Sequence, residues 1–149
     1  MATLLERYTS LPERHVETGE QILREGGRTG TLFILAEGAV EVVKSGVQVA
    51  IVSEPGAFFG ELSLLLDAPH MASVIALAPS RFYVVENADA FLRSHPDVML
   101  GVSRLLAKRL HLVTTYLVDL KKQFEASEDH LGMVDEVLES LLHHQDEED

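Results

Sequence analysis

Apolar residues fall into two regimes along the chain. Between residues 15 and 86 they come in short runs: HVE at 15–17, QIL at 21–23, TLFIL at 31–35, AVEVV at 39–43, VQVAIV at 47–52, SVIAL at 73–77 and RFYVVE at 81–86. Runs of this length, closed by turn residues, predict β-strands. Glycines at 19, 26, 27, 30, 38, 46, 56 and 60 mark the turns, positions where φ is free to be positive. Lys44-Ser45-Gly46 predicts a tight hairpin, and a short helical insertion is expected at 61–66. No long helix separates the strands, which argues against a doubly wound α/β sheet and predicts a mainly β protein, a small roll of jelly-roll type. Ahead of it, residues 3–9 predict one or two helical turns, stopped at Leu11-Pro12 because the residue before a proline is pushed out of helical geometry.

From Asn87, a candidate N-cap, the period becomes helical through ADAFLRS, pauses at His95-Pro96 and resumes from Asp97 as one long helix. Val102, Leu106, Leu110, Val113, Leu117, Leu120 and Phe124 recur at 4-4-3-4-3-4 spacing, close to a heptad seam. Two readings of the seam stand: the interface of a homodimer, or a stripe packed on the chain's own roll. A last amphipathic segment, 131–142, carries Leu131, Val134, Leu138 and Leu141 on one face and precedes the polar end HHQDEED, expected to be disordered. The expected organisation is a roll with its N-terminal helix and hinge over 1–96, a long helix over 97–124, and an acidic helical extension and tail over 125–149.

Composition narrows the function. The 149 residues, 46% of them hydrophobic, suffice for one buried core. No run approaches the roughly 18 apolar residues of a membrane span, and the N-terminus lacks the apolar stretch of a signal peptide, so a cytoplasmic protein with no membrane partner is expected. The absence of cysteine excludes disulfides and thiolate catalysis. Ten of the 24 acids lie between Glu125 and Asp149, where no Lys or Arg occurs. With a net charge of −12 the chain offers no basic face to phosphates, so nucleic acid is not an expected partner.

The most informative stretch is PGAFFGELSLLLDAPHMASVIAL, residues 55–77. Gly60-Glu61-Leu62 stands where a strand-like run meets the start of a helix, so backbone N–H groups there are placed to meet an anion, and Gly60 permits close approach. A carboxylate such as Glu61 is repelled by phosphate but accepts a hydrogen bond from a sugar hydroxyl, and the combination suggests a ribose-phosphate ligand.

With FGELSLL at Phe59–Leu65 and PHMA at Pro69–Ala72, the stretch resembles the phosphate-binding cassette of cyclic-nucleotide-binding domains, as in the catabolite activator family and the regulatory subunits of cyclic-AMP-dependent kinase. The upstream segment 18–43 is similar to that family's glycine-punctuated roll, and 91–120 resembles the hinge and long helix of the activator branch. The resemblance implies a double-stranded β-helix fold, a β-roll followed by a long helix and a short extra helix. It implies that Glu61 binds the ribose 2′-hydroxyl, that the backbone of Gly60, Glu61 and Leu62 lines the phosphate, and that Thr114 and Thr115 fall where purine contacts are made. For the threonines an ordinary exposed helix face is the competing reading. The sequence departs from the pattern at His70, where the family has an arginine that pairs with the phosphate, and at Met71, where it has a small or hydroxyl residue. A neutral imidazole makes no bidentate contact. Protonated His70 would recover part of the lost affinity; the competing reading is a vestigial pocket with His70 a loop residue.

His143 and His144 with the closing acids are adjacent in a tail and do not preorganise a metal site, and Ser73, Asp67 and His70 lack the signature of a nucleophilic triad. No cofactor and no catalysis are expected. The expected function is regulatory: weak binding of cyclic AMP or cyclic GMP, signalled through helix rearrangement to a protein partner, or a rigid scaffold that has lost its ligand and docks a partner through 131–142.

Overall fold

The computed structural model describes residues 8–124 and 128–143. Among the described residues there are eight strands, all but β6 at the short apolar runs: β1 Glu13–Val16, β2 Gln21–Leu23, β3 Leu32–Glu37, β4 Val40–Lys44, β5 Val47–Val52, β6 Phe58–Phe59, β7 Ser73–Ala76 and β8 Ser80–Val85. They form two four-stranded antiparallel sheets, ordered β1-β8-β3-β6 and β2-β7-β4-β5. Apart from the β4–β5 hairpin, which stays within one sheet, consecutive strands alternate between the sheets, which wraps the chain into a roll. Its inside is filled from both sheets: Val16, Phe33, Leu35, Phe59 and Phe82 from one, Ile22, Leu23, Val40, Val74 and Ala76 from the other. Phe82 meets Phe33 and Phe59 edge to face, with centroids at 6.0 and 6.1 Å.

The predicted hairpin is a two-residue turn, with Lys44 paired to Val47 and both Ser45 and Gly46 at positive φ, 52° and 78°. Two positive φ values give the turn a twist that matches the strands it joins. Of the glycines expected at positive φ, Gly27 is absent from that conformation. β1 begins at Glu13 rather than His15, because Glu13 and Arg14 pair with Tyr83 and Phe82 on β8 although both are polar and exposed. β6 is only two residues long and has no periodicity to detect.

The helices are α1 Glu61–Leu66, α2 Ala88–Ser94, α3 Pro96–Gln123 and α4 Glu128–His143. Asn87 precedes α2, yet its side chain makes no capping hydrogen bond; only its carbonyl takes part, accepting from Phe91 N at 3.1 Å. α3 begins at Pro96, one residue before the expected start, since a proline in the first helical position has no N–H to lose. The His95 carbonyl accepts from Val98 and Met99 at 3.0 and 3.1 Å, while the His95 ring stacks on Phe91 with its Nδ1 2.8 Å from the Phe91 carbonyl.

The chain divides into two compact units, residues 1–99 and 100–149. Within the second, an ion pair joins Lys121 of α3 to Asp135 of α4. Along the predicted seam Val102 is fully buried, Leu106, Leu117 and Leu120 are half-buried, and Leu110 and Val113 are 48% and 50% exposed. The helix expected at 3–9 and the closing tail at 144–149 lie, apart from Tyr8 and Thr9, outside the described residues.

Candidate functional site

The site begins with strand β6, held against β3 by the pairs Phe33↔Phe59 and Ile34↔Phe58. Gly60 follows at φ 95°, and a Cβ there would lie 2.5 Å from the Thr31 carbonyl oxygen. Only glycine fits this close crossing of two backbone segments. The sharp turn carries the next residue inward: Glu61, the first residue of α1, is 4% exposed although it is ionisable. No buried side-chain polar atom among the described residues lacks a partner, so this carboxyl group is solvated by protein. The first hydrogen bond of the helix runs from Leu64 N to the Gly60 carbonyl at 3.4 Å, which places the amides of Leu62 and Ser63 ahead of the helical ladder. The Leu62 side chain is exposed.

α1 stops at Asp67, whose backbone is left-handed at φ 49°. Ala68 N donates to the Ser63 carbonyl at 3.1 Å and Ser63 Oγ donates to the Ala68 carbonyl, so the chain turns back at once. It then runs alongside the turn between β2 and β3. Gly26 N donates to the His70 carbonyl at 2.8 Å and His70 N donates to the Gly27 carbonyl at 2.8 Å. The His70 side chain completes this latch, with Nε2 3.0 Å from Thr29 Oγ1. Thr29 in turn holds Thr31: Thr31 N donates to Thr29 Oγ1 at 3.3 Å, and Thr31 Oγ1 donates to the Thr29 carbonyl at 3.2 Å. Since Thr31 is the residue Gly60 crosses, the turn at 26–31 ties both ends of the 60–72 segment together.

His70 is 5% exposed, and burial lowers its pKa below the ordinary 6.5. It is therefore no loosely held loop residue. Burial also opposes the protonation that would let it stand in for an arginine. Met71, beside it, is half-buried. The glycines at 26, 27 and 30 mark this turn in the sequence, but nothing there singles out Thr29, since a threonine among glycines carries no marker of a partner 41 residues away.

The remaining candidates separate. Ser73 Oγ accepts from Glu25 N at 3.0 Å, Asp67 pairs with Arg28 at 3.4 Å and His70 bonds to Thr29, so these three side chains face different partners. Thr114 and Thr115 lie in the second unit on α3, where their hydroxyls donate to the carbonyls of Leu110 and His111 at 2.8 and 2.9 Å. A hydroxyl so engaged keeps its acceptor lone pairs. His143 closes α4 and His144 lies outside the described residues, among which no cluster of three or more potential metal ligands is found. No helix among the described residues is long and apolar enough to cross a membrane.

Comparison with known proteins places this geometry in context. A family model described as cyclic nucleotide-binding domain matches residues 13–93, more than half of the chain. The cAMP-dependent protein kinase regulatory subunit of Yarrowia lipolytica is 43% identical over 70 residues, which are 47% of this chain and 18% of that protein. The crystal structure of the Thermus thermophilus catabolite activator protein superposes with a TM-score of 0.66 and 27% identity, covering 79% of this chain and 59% of the other. A regulatory subunit described as belonging to a cAMP-independent protein kinase A from Trypanosoma brucei superposes with a TM-score of 0.57 and 26% identity, covering 64% and 35%. The matched regions span between 18% and 30% of the first three curated relatives.

Proposed function

Because the chain belongs to the cyclic nucleotide-binding domain family, we propose that it is a regulatory sensor whose 60–72 segment holds the ribose of a cyclic purine nucleotide, cyclic AMP or cyclic GMP, with low affinity. The observation that carries this reading is Glu61, turned into the interior by Gly60 and 4% exposed. A buried carboxyl group in a family pocket is suited to accept from a sugar hydroxyl, and Gly60, Glu61 and Leu62 supply the backbone beside it. The low affinity follows from His70: losing one partner of a desolvated charge pair costs about 2 to 5 kcal/mol, which takes a micromolar ligand toward millimolar.

The output in this reading is a protein contact rather than a reaction, in keeping with a family that is regulatory. The turn at 26–31 touches the cassette through Thr29 and touches α2 through the Gly30 carbonyl, which accepts from Ala88 N at 3.2 Å. A ligand that shifts His70 and Thr29 thereby shifts the start of α2, and α2 leads through His95 into α3. The exposed Leu110 and Val113 support a homodimer through α3 in this reading, and Thr114 and Thr115 on that helix are the candidate purine contacts.

A second reading, a scaffold that has lost its ligand and docks a protein partner, is favoured by the replacement of the phosphate-binding arginine by His70. Calorimetric titration with cyclic AMP and cyclic GMP decides between them. The sensor reading expects saturable binding in the high micromolar to millimolar range, weakened roughly thirtyfold by Glu61→Gln. Silence for both ligands, in a protein whose thermal unfolding is cooperative, favours the scaffold. Sedimentation at high micromolar concentration checks the dimer, and a purely monomeric species contradicts it.

A further inference from the structure

We infer that the pocket takes an uncharged purine ribonucleoside more tightly than the corresponding cyclic nucleotide, because the place expected for the phosphate is held by the buried ring of His70 hydrogen-bonded to the exposed hydroxyl residue Thr29. The inference rests on the reading that residues 60–72 form a ribose pocket and names the ligand class of that same site.

An anion withdrawn from water needs a counter-charge or a full set of strong donors. His70 Nε2 is engaged with the Thr29 hydroxyl at 3.0 Å, and both backbone polar groups of His70 are spent on Gly26 and Gly27. No carboxylate among the described residues pairs with this imidazole to draw a proton onto it. Two charged groups beside the adjoining turn are engaged away from the ring: Glu25 Oε1 accepts from Ser45 N at 3.0 Å, and the Arg28 guanidinium is held at 3.4 Å by Asp67 on the protein's exterior. Burial works in the same direction, lowering the proton affinity of the ring. In this reading a phosphate placed here would have the Glu61 carboxyl group in the same cassette and face a ring whose protonation burial opposes.

The 3′- and 5′-hydroxyls of a ribonucleoside make the opposite demand. Each needs one acceptor and offers acceptor lone pairs, and with Nε2 and the Thr29 hydroxyl bonded to each other the pair still has His70 Nδ1 and one further position on the hydroxyl, together one donor and one acceptor without charge. Glu61 keeps its part at the 2′-hydroxyl, so the sugar is recognised while the phosphate is not.

The test compares adenosine with 3′,5′-cyclic AMP, and guanosine with 3′,5′-cyclic GMP, by calorimetry at pH 7.5 on the wild-type full chain and on His70→Arg. We expect a nucleoside to bind about tenfold more tightly than its cyclic nucleotide, and the order to reverse in His70→Arg. A wild-type protein that binds a cyclic nucleotide more tightly than its nucleoside overturns the inference while leaving the pocket reading intact. If no nucleoside or cyclic nucleotide binds to the wild type at millimolar concentration, the ribose-pocket reading fails and the inference with it. The wild-type comparison stands by itself should His70→Arg fail to fold, which thermal unfolding of the variant reports.

Discussion

Glu61 and His70 stand near the two ends of one cassette, and the protein buries them almost equally, to 4% and 5% exposure. Both sit where backbone segments cross, Glu61 after the contact of Gly60 with Thr31 and His70 in its latch with Gly26, Gly27 and Thr29. Their chemistry differs. Glu61 is a carboxyl group suited to accept from a sugar hydroxyl, whereas His70 stands where the family has an arginine and is a ring whose protonation burial opposes. The difference teaches that the shape of this cassette is maintained by glycine turns and backbone hydrogen bonds, which do not depend on the charge at residue 70. Fold and ligand chemistry are therefore separable here.

The largest effect that would sharpen the contrast is structural. Gly60→Ala puts a Cβ into the Thr31 carbonyl at a φ of 95°, and should cost about 3 kcal/mol of stability, read by urea unfolding. An unchanged midpoint would mean that the crossing does not organise the cassette. Glu61→Gln keeps the shape but removes the carboxyl group expected to accept from the ribose, and should weaken any ligand by about 2 kcal/mol, roughly thirtyfold, in calorimetry. Thr29→Val removes the partner of a buried imidazole nitrogen and should cost about 1 to 2 kcal/mol of stability. If the cost is nil, the His70 ring is not held as described.

The smallest expected effect is on pH. The folded-state pKa of His70 lies below its unfolded value near 6.5, so between the two the unfolded chain binds more protons. The His70 contribution is fully present above 6.5 and stability is lost as pH falls below it. His70→Gln should flatten this part of the stability profile relative to wild type. An equally steep profile in the variant would assign the dependence to other groups.

Much of this was legible in the residues. Strands β2 to β5, β7 and β8 follow short apolar runs, α1 lies where FGELSLL suggested, and the motif spacing from Phe59 to Ala72 identified the cassette. What escaped depends on tertiary contacts. The first residues of β1 are polar and are strand only because β8 pairs with them. β6 has two residues, too few for any period. The Asn87 side chain forms no cap despite its favourable identity. Above all, the sequence shows that residue 70 is histidine but not that Thr29 meets its ring, a contact made by two loops far apart in the chain.

The most direct test of the central claim is the titration of the His70 ring by NMR, assigned through loss of its signal in His70→Gln. The account predicts a midpoint below 6.5, moving when Thr29 is replaced by valine. A midpoint above 6.5 would mean that the phosphate end of the cassette carries a cation after all, and would contradict the separation of sugar and phosphate recognition on which the account rests.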